Sequence, residues 1–331
     1  MFMLSKIRKC IFLLGILLVV GQGFASNCAA DYAPPENPVW DGTSTEEPCT
    51  IGEYYIIDNA AKLAWFAAQT NTVDNNQYLS KNAKLMADLD MGGKLWTPIA
   101  VGTGNDNKRI YSGIFDGNGH SISNLYISAE ELMALHHDST FYAQNLGFIG
   151  CFKGTLKNLN IIDIEVHGFG KGGLNDKNKI VEKPISIGTV VGWQSGNTSS
   201  IDGCTASGVV VTSGDGQAVG GIVGNIGGGS ISNCVSTVSI KASGLAYVGG
   251  IAGYTKKYTG AVTVSSCVYA GTELSAEGSA VVGGTTYNSA AGAIIGHQYQ
   301  GNVTLSNLYY DSDLFGADGG IGATTKGGSY T

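Results

Sequence analysis

One short phrase recurs along this chain, and its recurrence limits what the chain can fold into. NLGFIGCF stands at 145–152, IGTVVGWQ at 187–194, VGGIVGNI at 219–226, VGGIAGYT at 248–255 and AGAIIGHQ at 291–298. A degenerate copy, YSGIFDGNG, stands at 111–119. The common pattern is two glycines separated by three residues, or by two in NLGFIGCF, with apolar residues between. A second phrase follows each copy: SISNLYI at 121–127, TLKNLNI at 155–161, SIDGCTA at 200–206, SISNCVS at 230–236, TVSSCVY at 263–269 and TLSNLYY at 304–310. The closing glycines of the first phrase, Gly117, Gly150, Gly192, Gly224, Gly253 and Gly296, recur every 29 to 43 residues. Self-similarity in that range means a solenoid, a propeller or another array.

Residue type selects among these. The repeats alternate apolar and polar residues in runs of four to six, as strands do. Gly, Ser, Asn, Asp and Thr, the turn formers, lie between them. A propeller blade needs about 40–50 residues and four strands, more than the shorter repeats supply. The reading is an all-β solenoid of about six coils, each stacked ~4.8 Å from the next and none able to bury its apolar face alone. The glycines then serve tight turns and close approach of neighbouring coils. Collagen is excluded because no G-X-Y period exists. Disorder is excluded because 43% of the residues are apolar and only six are proline.

The N-terminus reads as a signal peptide, 1–25. MFMLSKIRK is basic, IFLLGILLVV (11–20) is apolar but too short to span a bilayer, and GFA at 23–25 offers small residues at a cleavage site. An uncleaved anchor is the competing reading. The formal net charge is −7. Without Lys6, Arg8 and Lys9 the chain keeps 16 basic against 26 acidic side chains, a charge of −10. Nucleic acid and anionic membrane are poor partners for such a chain, since both need a basic footprint. The expected location is secreted or cell-surface, with no membrane insertion after cleavage.

The seven cysteines fall into groups. Cys28 and Cys49 flank the Pro-rich segment 26–50 and could close it with a disulfide in an oxidising compartment. Cys204, Cys234 and Cys267 look like a metal cluster, but in the second phrase they share one position with Leu125, Leu159 and Leu308. A position that accepts Leu or Cys is an inward apolar one, so these six form a core ladder of apolar side chains and thiols. Zinc-type spacing is absent and no metal or other cofactor is expected. The residue before the ladder, Asn124, Asn158, Gly203, Asn233, Ser266 or Asn307, is a turn former.

Residues 51–110 differ from the repeats. A strand at 53–57 leads into a helix over 58–70, capped by Asp58 or Asn59, which would cover the open edge of the first coil. KNAKLMADLDM (81–91) reads as one strand that starts the first coil. The repeats occupy 111–331, and 128–144, 166–186 and 272–288 are inserts, expected as loops or side hairpins.

The cores Gly221-Ile222-Val223-Gly224 and Gly250-Ile251-Ala252-Gly253, with YSGIFDGNGHSISNLYI at 111–127, resemble the GLUG motif of bacterial surface proteins over roughly residues 50–320. Such proteins include adhesin-like surface proteins and the non-catalytic regions of IgA-specific metallopeptidases. The resemblance implies a right-handed parallel β-helix-like fold and carries no catalytic residues. The residues agree. No H-E-x-x-H occurs, and His136-His137 lacks a matching acid. The Gly-rich run 220–229 lacks a phosphate-site lysine. Asp88, Asp90, Asp116, Asp311 and Asp313 read as turn or surface acids, although a carbohydrate-active enzyme on such a scaffold would need a pair of carboxylates. The favoured function is non-catalytic binding of polysaccharide or host glycoprotein; a spacer role in a larger surface protein is the alternative. The residue after each closing glycine offers a row of candidate contacts, Trp193, Tyr254 and His297 among them. Pointing outward they would stack on sugar rings; packed beneath the inserts they would be core.

Overall fold

A computed structural model describes residues 38–72, 76–101, 109–136, 144–170, 185–255, 260–282, 285–299, 303–316 and 319–324. The signal segment, Cys28 and His137 lie outside the described residues. The protein is all-β, built of parallel sheets whose strands follow the sequence repeats. The repeat beginning at Gln217 shows the path. Gln217–Gly220 enters a five-stranded sheet, Val223–Ile226 a six-stranded one and Gly229–Ser232 a nine-stranded one. Val235–Ser236 and Ser239–Ser243 then enter a ten-stranded sheet. Each strand pairs with its counterparts in the repeats before and after, as in Ser200, Ser230 and Thr263, or Trp193, Asn225 and Tyr254. Backbone donors and acceptors are thereby satisfied between repeats rather than within one.

The two glycines of the first phrase make two of these sheets touch backbone to backbone. The first glycine ends a strand of the five-stranded sheet, and the second lies in the six-stranded one. A methyl group at Gly188 would sit 2.6 Å from the nitrogen of Gly224 in the next repeat. One at Gly249 would sit 2.7 Å from that of Gly296. Sheets that interpose side chains pack ~10 Å apart; these have no room for a Cβ.

The second phrase builds a corner. Asn158, Gly203, Asn233, Ser266 and Asn307 all take φ between 52° and 63°, a left-handed turn that Gly and Asn enter at least cost. Their N–H groups reach the next repeat, for example Asn158 to Asp202 O (3.0 Å) and Ser266 to Ser306 O (3.0 Å). The side chains of Asn124 and Asn233 donate to Asp90 and Asp202 (both 2.8 Å). The next residue points inward. Leu159, Cys204, Cys234 and Cys267 are fully buried and Leu308, near the end of the stack, is partly covered. The three thiols are free. The Sγ atoms of Cys234 and Cys267 donate to Ser232 O and Ser265 O at 3.1 and 3.2 Å. Hydrogen bonding between neighbouring thiols, together with burial, pushes the pKa values of Cys234 and Cys267 far up.

Several expectations are corrected. YSGIFDGNG does not carry a glycine core: Ile114–Asp116 pairs with Thr155–Lys157 in the nine-stranded sheet. SISNLYI therefore lies one corner later than TLKNLNI, with Ser121–Ser123 opposite Asn160–Ile162. Leu125 is buried, but it stands apart from the Leu159–Leu308 ladder, beside the backbone of Glu165. The two short phrases share an alternation, and only pairing with the neighbouring repeat tells their registers apart. The place of the first glycine core is taken by Ile99 and Tyr111, bridged to Ile149 and Phe152. A further core lies in Ile321–Thr324, whose Gly322 faces Gly292. KNAKLMADLDM bends into two strands, Asn82–Leu85 and Leu89–Asp90, in different sheets. Asp88 braces the bend by accepting from the Ser121 N–H (2.7 Å). The insert at 128–144 includes a helix, Ala129–His136, and the one at 272–288 includes the hairpin Ser279–Val282/Thr285–Asn288.

The N-terminal helix spans Ala60–Asn71, with Asn59 as its N-cap accepting from the Lys62 N–H (2.8 Å). Leu63 and Phe66 bury against the first strands. At its other end Thr70 and Asn71 accept from the N–H groups of Ala100 (3.1 Å) and Val101 (3.0 Å). Those donors continue the line of the six-stranded sheet. Cys49 is disulfide-bonded, and its partner lies outside the described residues.

Two outcomes follow from this packing. Gly224→Ala would press a methyl group between Gly192 O and Ile187, and urea unfolding should show a loss of about 3 kcal/mol or more. Gly52→Asn, at φ +60° with open space around it, should cost under about 1 kcal/mol. Iodoacetamide followed by mass spectrometry should leave Cys151, Cys204, Cys234 and Cys267 unlabelled in the native protein and label all four once it is unfolded.

Candidate functional site

The row that follows the closing glycines is a true row. Cys151, Trp193, Asn225, Tyr254, His297 and Ala323 stand in register across the six-stranded sheet. Its aromatic end is interior. Tyr254 and His297 are each 8% exposed, and Trp193 is half-buried. Tyr247, from the five-stranded sheet, stacks on Tyr254 (5.8 Å) and lies 4.2 Å from the His297 ring; Tyr299 closes the group against Tyr254 (6.1 Å). Burial holds the imidazole of His297 down at about 4, well below its usual range. Tyr254 and His297 thus serve packing, and their faces are not open to a sugar ring.

The described acids named from sequence are turn and cap residues. Asp116 is buried, accepts from the Asn118 N–H (2.9 Å) and pairs with Lys157 (3.4 Å). Asp90 accepts from Gly92 and Asn124. Asp311 caps the short helix Ser312–Phe315 by accepting from the Asp313 N–H (2.9 Å). Among the described residues no cluster of three or more His, Cys, Asp or Glu side chains could hold a metal ion.

A different place gathers chemistry. In two adjacent repeats the ten-stranded sheet carries unusually long strands, Asn160–Gly170 and Thr205–Gly214, whose side chains alternate in and out. Ile164, Val166 and Val210 face the core. Glu165, His167 and Phe169 face outward, beside Val209, Val211 and Ser213 of the next strand and Tyr126 and Ser128 of the preceding one. The helix Ala129–His136 stands at the edge of this face, held by its buried Ala129 and Leu132. Its first-turn acids Glu130 and Glu131 sit favourably at the positive end of the helix dipole.

Between the helix and the strands lies a groove of about 400 Å³, lined by Tyr126, Glu130, Glu131, His167, Phe169 and Val211 among others. Two hydrogen bonds fix its polar groups. The Tyr126 hydroxyl donates to Glu131 Oε1 (2.5 Å), and His167 Nε2 donates to Glu165 Oε1 (2.6 Å). The Tyr126 and His167 rings meet edge to face at 5.8 Å. The Glu131 bond pushes the Tyr126 phenol pKa up, so this tyrosine is a donor and not a base. Two apolar side chains of the lining stand open to solvent, Phe169 and Val211, each 44% exposed, and Val209 on the same sheet face is 43% exposed. The sequence pattern does not single out this site, because 166–186 reads as an insert. The signal was present in E-x-H-x-F at 165–169 and V-x-V at 209–211, but alternation alone does not say which side is wet.

A family model of the GLUG motif matches residues 215–241. That span contains strands of all four sheets described above, so the chain carries a GLUG motif and the motif is one full repeat. A crystal structure at 1.30 Å of a Bacteroides ovatus protein proposed to be an immunoglobulin A1 protease is similar at 19% identity. It covers 84% of each chain with a TM-score of 0.41. No curated protein matches the chain.

The buried imidazole gives a pH dependence. His297 binds its proton near pH 6.5 in the unfolded chain and near 4 in the folded one. Between these values the unfolded state holds more protons, so stability is full above about pH 6.5 and falls as the pH drops toward 4, by about 3 kcal/mol in all. Urea unfolding at pH 7 and at pH 4 should show this loss, and His297→Gln should remove that part of the slope.

Proposed function

We propose that this chain is a secreted or cell-surface, non-catalytic binding module for carbohydrate or glycoprotein. In this reading it is a right-handed parallel β-solenoid of about six coils, with the helix Ala60–Asn71 as N-terminal cap and a signal peptide at 1–25. Sheet order that follows the repeats, in register across four sheets, supports the solenoid. The disulfide at Cys49 and the low charged fraction of 14% suit an oxidising, extracellular setting. No described helix is long and apolar enough to cross a membrane.

The observation that carries the binding reading is the outward face of the long strands. An open groove with an aromatic and aliphatic floor and hydrogen-bonded polar walls is the usual shape of a recognition site. Contiguous exposed apolar surface on a soluble domain marks contact with another molecule. Phe169 and Tyr126 supply rings for stacking, and Val209 and Val211 extend the apolar floor. In the deeper aromatic row Tyr254 and His297 are each only 8% exposed.

The test incubates the purified chain with insoluble polysaccharides and immobilised glycoproteins and reads two quantities together: protein depleted from solution and fragments released. Depletion without release is expected, reduced at least tenfold by Phe169→Ala and by Val211→Asp and unchanged by Tyr254→Phe. Released product, lost on Glu131→Gln or Glu165→Gln, would replace the binding reading with a carbohydrate-active enzyme, since these carboxylates sit beside the same groove. No depletion on any surface would leave the chain a spacer between other domains.

A further inference from the structure

We propose that the groove between the helix Ala129–His136 and the long strands receives the lysine or arginine side chain of an extended protein segment. This rests on the reading that the same face is a binding surface, and it names the partner's chemistry.

The groove is acidic over an apolar floor. Glu130 and Glu131 line it, Glu165 stands beside His167, and no Lys or Arg is among its described lining residues. Lys241, two strands over from His167, lies 2.9 Å from Glu273 and is held in that pair. Glu131 and Glu165 each accept one hydrogen bond at Oε1, from Tyr126 and His167. A carboxylate can accept about four, and Glu165, 53% exposed, keeps acceptor capacity toward solvent. These two hydrogen bonds hold the carboxylates in place.

Three features select the ligand. A charged head on an apolar stem matches a wall of carboxylates above Val211 and Phe169, because long basic side chains bury their methylenes and leave the head at the polar end. Tyr126 and Phe169 line the same groove, and a guanidinium over an aromatic face is favourable. The outward rows of the sheet, Tyr126–Glu165–Val209–Ser239 and Ser128–His167–Val211–Lys241, run across the strands at ~4.8 Å intervals. They form a flat bed on which an extended segment can lie with one side chain in the groove. Carboxylates accept hydrogen bonds from sugar hydroxyls, but their charge favours a cationic side chain over a neutral sugar, and an acidic sugar would be repelled, the more so as the whole chain is negative.

The experiment titrates the full purified chain by calorimetry with the blocked peptide Gly-Ser-Arg-Ser-Gly, its citrulline and norleucine counterparts, and a glucosamine tetramer. The arginine peptide should bind, at least tenfold more tightly than either counterpart, and weaken as salt rises. The double variant Glu131→Gln/Glu165→Gln and the single variant Phe169→Ala should each lose at least tenfold, with the thermal midpoint checked for both. Glu53→Gln, on the turn between the first two described strands, should change nothing. Equal binding of the citrulline peptide, or unchanged binding by the double variant, would overturn the proposal, as would binding of the glucosamine tetramer without the peptide. If glycoprotein depletion survives the double variant but is lost in Phe169→Ala, the face still binds and only the cationic assignment fails.

Discussion

The structure depends on backbone meeting backbone across two sheets. Where Gly188 faces Gly224, Gly220 faces Gly253 and Gly249 faces Gly296, there is no space for a β-carbon. Contact at that distance removes the layer of side chains that usually separates sheets and replaces it with dispersion between close-packed main chains. It also fixes repeat spacing, because a first glycine in one repeat must meet the closing glycine of the next. A single added methyl group there acts on two repeats at once. The tolerance of the array for variable length lies elsewhere, between the strand Ser239–Ser243 and its counterparts and the next five-stranded sheet strand, where most of the inserts sit.

The other fixed element is the left-handed corner. Five successive repeats place Asn, Gly or Ser at φ between 52° and 63° and follow it with an inward Leu or Cys, buried in the first four and partly covered at Leu308. The corner orients that following side chain into the interior, so the turn and the ladder are one device. Cysteine is admitted in the middle of the ladder because a thiol fills the volume and bonds weakly to the carbonyl two residues before it. The same burial makes these sulfurs poor nucleophiles.

These devices were legible in the sequence because each repeats. Gly192, Gly224, Gly253 and Gly296, the Asn158–Asn307 corner and the thiols at 204, 234 and 267 announce themselves by recurring at one position of a phrase. The first repeat is ambiguous in sequence for the same reason. SISNLYI looks like TLKNLNI, and nothing local distinguishes a strand of the nine-stranded sheet from one of the ten-stranded sheet when both are three-residue alternations next to a left-handed Asn or Asp. Asn124 and Asp163 share that conformation and face each other across neighbouring repeats. The groove was illegible because it occurs once. Its residues come from a strand end, a helix in an insert and a neighbouring repeat, and only pairing brings Tyr126, Glu165 and Val209 into one row.

That contrast explains where recognition can sit. The row through Trp193, Tyr254 and His297 belongs to the repeated part, and in a stack the repeated part is committed to contact with its neighbours above and below. An aromatic side chain placed there finds Tyr247 and Tyr299 before it finds solvent. A face becomes available only where one repeat departs from the rest. Asn160–Gly170 and Thr205–Gly214 are such departures: each continues as one strand through the corner that divides Val235–Ser236 from Ser239–Ser243 in the next repeat, and their outward positions carry Phe169, Val209 and Val211 into water. The irregularity at Ile161/Ile164, where the pairing register shifts, lets the longer strand resume on the same face. The strands supply a bed, the inserted helix supplies a wall, and the acids at that helix's N-terminus supply charge. Because the scaffold's own contacts are complete without these side chains, the groove can change its chemistry without unmaking the stack beneath it.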